Sequence, residues 1–82
     1  MSTDTNNMSE EEIWRVLIVD KSVDVNGYYI DFAEEDGIIW YTNCYGVDGA
    51  ITNTEPRDKA KKAVLQFIKN VRAGRDYGPS PF

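Results

Sequence analysis

The sequence predicts an α+β domain: a small antiparallel β-meander of three or four strands with one C-terminal amphipathic helix packed on one face. Three observations predict it. The β-rich runs YYIDFAE and IIWYTNCY flank Asp36-Gly37, a turn dipeptide between alternating segments. Ala60, Ala63, Val64, Phe67, Ile68 and Val71 recur at the spacing of one helical face. The chain has 82 residues, the length of one domain.

Each element follows in order. Residues 1–8 are polar and aperiodic and read as a disordered arm, before a single domain over 9–74 and an extended tail over 75–82. Ser9 and Glu12 have the spacing of a capping box, enough for one helical turn. The β-branched run Ile13–Asp20 then favours a strand with apolar residues on both faces, a buried helix being the alternative. Lys21 to Gly27 reads as a loop ending in Asn-Gly. In the following hairpin, alternation puts Tyr28, Ile30 and Phe32 on one face with Ile39, Tyr41, Asn43 and Tyr45. Tyr29, Asp31, Ala33, Ile38, Trp40, Thr42 and Cys44 fall on the other. Either common turn length keeps this parity. Asp48-Gly49 reads as a second turn, leading to a short fourth strand near Ala50 to Thr52 or to more loop. Pro56 suits the first turn of the final helix, with Thr54 or Glu55 as its cap and Gly74 as its stop. The helix is expected to cover the Tyr28/Ile30/Phe32 face. The Tyr29/Trp40 face is then left exposed, or is covered by the arm or a second subunit.

Composition excludes several functions. There is no histidine and one cysteine, so no histidine-based triad, dyad or zinc site and no internal disulfide. Cys44 lacks a general base and reads as a small, partly covered apolar residue. The carboxylates lie mostly in turns, and so short a chain has little room for the cleft that paired acids need. The expectation is a protein that is not an enzyme and needs no cofactor or metal. The acidic, polar start does not resemble a signal peptide and no apolar run suits a membrane span, so a soluble, cytoplasmic protein is expected.

Charge is unevenly distributed. Residues 1–56 hold twelve acids against two bases, and residues 57–82 hold seven bases against two acids. Either the basic helix neutralises an acidic sheet, or an acidic face is left for a basic partner.

Two segments resemble known motifs. Asp24, Asn26 and Gly27, followed by IDF and acids, resemble fragments of an EF-hand calcium loop, which would imply a weakly calcium-responsive module. With Gly27 at the sixth position of such a loop, Ser22 and Ala33 stand where its first acid and last glutamate belong. The helix RDKAKKAVLQFI, with Lys61, Lys62, Lys69 and Arg72 on one stripe, is similar to the last helix of double-stranded-RNA-binding domains. The acidic balance opposes that use, and no direct nucleic-acid binding is expected.

The candidate site is therefore a protein interface. Tyr29 and Trp40 are the aromatic anchors, and Asp31, Glu34, Glu35 and Asp36 are the acids that would meet a partner's Lys and Arg. Leu65, placed among lysines, is a further contact candidate. The expected function is a non-enzymatic inhibitor docking on a basic, nucleic-acid-handling protein. In size, acidity and lack of histidine the chain resembles phage products that block host defence, such as anti-CRISPR proteins. The alternative is a structural or regulatory homodimer joined through the Tyr29/Trp40 face. The expected state is accordingly a monomer or a homodimer.

Overall fold

The computed structural model describes residues 7–74. The expected tail and most of the expected arm lie outside the described residues. Met8, expected in the arm, packs against the core.

Ser9 opens the first element. Its hydroxyl accepts from Glu12 N–H at 3.2 Å, and Glu12 Oε1 accepts from Ser9 N–H at 2.9 Å. This reciprocal cap starts a full helix, α1 (Glu10–Asp20), rather than the single turn and strand expected of Ile13–Asp20. Ile13, Trp14 and Leu17 are buried on its inner face while Val19 stays exposed. The satisfied cap and one-sided burial outweigh the β-branched residues' preference for strands. Lys21, in the left-handed region at φ 66°, ends the helix.

The strands are β1 (Ser22–Val25), β2 (Tyr28–Ala33), β3 (Ile38–Thr42) and β4 (Asp48–Asn53), followed by α2 (Arg57–Arg72). They form one antiparallel sheet in the order β1-β2-β3-β4. The first strand is thus Ser22–Val25, inside the expected loop. Asn26-Gly27 is itself the hairpin turn, with φ of 49° and 85°, and Val25 pairs with Tyr28 across it. Positive φ at both central residues matches the right-handed twist of the strands it joins.

The β2–β3 hairpin is as expected. Phe32 pairs with Ile39 and Asp31 with Trp40, and Gly37 adopts φ 70° in the turn. The next turn is displaced from Asp48-Gly49. Asn43 Oδ1 accepts from Tyr45 N–H at 2.9 Å and Val47 N–H at 3.0 Å, and Gly46 adopts φ 80°. An Asx turn therefore reverses the chain early. Tyr45, expected in the core, is 60% exposed at its tip. Cys44, expected to be partly covered, is exposed there too.

Asp48 and Gly49 become part of β4, and Gly49 has a different task. A Cβ there would lie 2.5 Å from the Tyr41 ring. The missing side chain lets Tyr41 lean across to Phe67 on α2, centroid to centroid 5.1 Å. Tyr28 completes the cluster at 5.7 Å from Phe67 and 5.8 Å from Tyr41.

The core has one side. Val23, Val25, Tyr28, Ile30, Phe32 and Ile39 are buried with the inner faces of both helices, including Leu17, Val64, Phe67, Ile68 and Val71. The expected cover of α2 is present, and α1 shares the same face. The start of α2 departs from expectation. Thr54 is buried, its N–H donating to Gly37 O at 3.0 Å, so it serves the β2–β3 turn and not the helix. Pro56 takes the N-cap position without a side-chain cap, and Gly74 follows the last turn as expected.

Two outcomes test these assignments. Gly49→Ala drives a methyl into the Tyr41 ring, and overpacking of this kind costs about 1–3 kcal/mol. Urea unfolding will show a lower midpoint, with loss of the near-ultraviolet tyrosine signal. The second concerns acid. The Ser9 cap, its backbone N–H first and its hydroxyl second, holds Glu12 below the ordinary 4.5. A hydrogen bond from Lys21 does the same for Glu34. A depressed folded pKa adds stability that is complete above the ordinary value and disappears as pH falls through the lower one. Stability will decline below pH 4.5, and Glu12→Gln will be less stable at neutral pH with a shallower decline, read by circular dichroism.

Candidate functional site: the uncovered face of the sheet

The side chains that alternate away from the core make up the opposite face. Strand register arranges them in rows. Asp24, Tyr29, Thr42 and Asp48 stand abreast across β1 to β4, and Ser22, Asp31, Trp40 and Ala50 form the next row. Neighbours within a row are about 4.8 Å apart and the rows about 6.8 Å apart, by ordinary sheet spacing. Ala33 and Ile38 continue the face toward the β2–β3 turn. No helix lies over it: Tyr29 is 46% exposed and Trp40 39%.

Hydrogen bonds order its polar groups. Trp40 Nε1–H donates to Asp31 Oδ2 at 3.2 Å. The two residues pair directly on neighbouring strands, so the register sets the contact. Thr42 Oγ1–H donates to Asp48 Oδ1 at 2.6 Å in the same way. Each bond orients a carboxylate on this face, the first of them beside the Trp40 ring. Three aspartates share this face and no basic residue occupies either row.

Four bases are paired elsewhere. Arg72 Nη1 meets Glu10 Oε2 at 2.8 Å, and Lys61 Nζ meets Glu11 Oε2 at 2.9 Å. The first turn of α1 therefore takes two of the bases of α2, a pairing that neither of the two arrangements weighed from the sequence included. Lys21 binds Glu34 at 2.6 Å and, with Arg57, lies near the Phe32 ring. The lysine stripe that resembles an RNA-binding helix thus has two of its four bases, Lys61 and Arg72, in pairs with α1.

The predicted site residues separate into three places. Tyr29, Asp31 and Trp40 come together on the open face. Glu34, Glu35 and Asp36 form the turn at one end of it, with Glu34 engaged by Lys21. Leu65 lies on the other side of the molecule, half-buried against the core where α2 faces Ser9, Glu10 and Glu11. Asp24, read only within the calcium-loop resemblance, and Asp48, read as a turn residue, also lie on this face. The signal for Asp24 was Asn26-Gly27: as a two-residue turn it sets Asp24 opposite Tyr29. The segment that resembles a calcium loop folds instead as this β1–β2 hairpin. Among the described residues, no group of three or more cysteine, aspartate or glutamate side chains converges on a metal position. No helix among them is long and apolar enough to cross a membrane.

Fold and site together define a small α+β domain with two helices on one sheet face and an acidic, aromatic surface on the other. Comparison with known proteins finds no matching family model, no matching curated protein and no matching solved structure.

The two tryptophans separate core from surface. Trp14 is 8% exposed in the core cluster, so Trp14→Ala will cost about 3–5 kcal/mol. Trp40→Ala will cost less than half as much in the same urea titration, with the far-ultraviolet spectrum retained. Equal losses would place Trp40 in the core.

Proposed function

We propose that this is a non-enzymatic binding protein that docks its uncovered sheet face on a basic surface of a partner protein. The observation that carries the reading is the composition of that face: two part-exposed aromatic rings among three aspartates, with no base. Aromatic anchors inside a polar rim have the anatomy of a protein interface, and a single-sign field steers a partner of the other sign. Tyr29 and Trp40 bury area. Asp24, Asp31 and Asp48 meet Lys and Arg, and Glu35 and Asp36 extend the field beyond the hairpin turn. Proteins that grip DNA or RNA offer such basic grooves. The partner we infer is of that kind, and occupying its groove would make this protein an inhibitor, as in phage anti-defence proteins.

The face also weighs against the homodimer through Tyr29 and Trp40. A two-fold contact is self-complementary, so each copy would set its three aspartates against the same three with no base between them. Like charges directly opposed are destabilising.

Affinity capture from nuclease-treated lysate, eluted by a salt gradient, tests the proposal. A nucleic-acid-handling protein released only at high salt, and lost with Trp40→Ala, supports it. Against the purified partner, Trp40→Ala will weaken binding by about 2 kcal/mol. Asp31→Lys with Asp48→Lys will slow association and flatten its salt dependence. Recovery of the bait alone would overturn the proposal.

A further inference from the structure

The sheet has two edges and they are treated differently. β1 is four residues long and begins directly after Lys21, while each edge strand has a helix packed against it. Shortness and a flanking lysine are ordinary ways of guarding an edge. β4 has six residues, DGAITN, with no lysine and no proline among them. No strand lies beyond it among the described residues. Its one irregularity is Ile51, left without a β3 partner between Ala50 and Thr52.

A groove runs beside this edge, between β4 and α2. It consists of two adjoining openings that share Ala63. The first, about 360 Å³, is walled by Tyr41, Ile51 and Phe67. The second, about 420 Å³, is walled by Thr52, Pro56 and Lys59. Gly49 helps to shape the first, because only a residue without a Cβ allows the Tyr41 ring to lie where it does.

An extended segment laid along an edge strand hydrogen-bonds through its main chain and sends alternate side chains to opposite sides. Beside β4 the two sides differ in chemistry. On the α2 side, side chains enter the groove over Tyr41, Ala63 and Phe67, which suits aliphatic groups. On the other side they emerge beside Asp48 and Ala50, on the face that carries the aspartates.

We propose that an extended segment of the partner adds to β4 as a fifth strand, with aliphatic side chains in the β4–α2 groove alternating with Lys or Arg on the aspartate face. This rests on the reading that the partner is basic. Charge complementarity selects this occupant over a second copy, whose own sheet would prolong the face with further aspartates and no base.

The test uses the full chain and two synthetic peptides of identical composition and charge: KVKVKVK, which alternates, and KKKKVVV, which does not. Binding is read by fluorescence anisotropy and by backbone hydrogen exchange. The alternating peptide will bind at least about tenfold more tightly and slow exchange across Asp48–Asn53. Ala63→Arg, which fills the groove without touching the outer face, will abolish that preference, and Asp31→Asn will weaken both peptides alike. Equal binding of the two peptides without protection of β4 would overturn the edge-strand inference and leave the basic-partner reading standing. Binding of neither would remove both. A dimer in sedimentation with β4 protected before any peptide is added would give the edge to a second copy.

Discussion

Strand alternation leaves this molecule one face to bury. Four short strands send every second side chain inward, and the inward set is large: Val23, Val25, Tyr28, Ile30, Phe32, Ile39 and Tyr41. A chain of this size has enough apolar surface for one core and no more. Both helices therefore converge on the same side. Phe67 is where α2 meets the sheet, its ring clustered with those of Tyr28 and Tyr41. The outward set is left to solvent by the same parity, so the candidate interface is the complement of the core.

Charge follows from that packing. The acidic first turn of α1 lies beside α2, and Glu10 and Glu11 take Arg72 and Lys61. Pairs this exposed add little stability each. Their larger effect is on the distribution of charge, since they draw two bases toward the helical layer and away from the sheet face. Three aspartates beside Trp40, with no base in their rows, give this face a single sign.

Local signals decided what could be read in advance. Asp36-Gly37 set the central hairpin, and its parity placed Tyr29, Asp31 and Trp40 together correctly, since a two-residue period leaves no freedom once the turn is known. The α2 stripe and the Gly74 stop were equally local. The misreadings arose where two local signals competed. Ile13–Asp20 carries β-branched residues and a capping box at once, and burial of Ile13, Trp14 and Leu17 on one helical face settled the contest. At the third turn, Asp48-Gly49 and Asn43 with Gly46 both qualified. The Asn43 side chain closed the turn first, and that exposed Tyr45.

By itself the sequence determined the alternation, the helical stripe and the grouping of acids before residue 57, because each depends on neighbours a few positions apart. Only the tertiary structure decided that α1 joins α2 on the inner face, that Glu10 and Glu11 take two of the bases of α2, and that β4 is left as an open edge beside a groove. Those outcomes depend on residues more than 40 positions apart, such as Glu10 and Arg72. No local preference encodes which of several acidic segments a basic helix will meet. The packing of one shared core makes that choice, and the surface left over is its consequence.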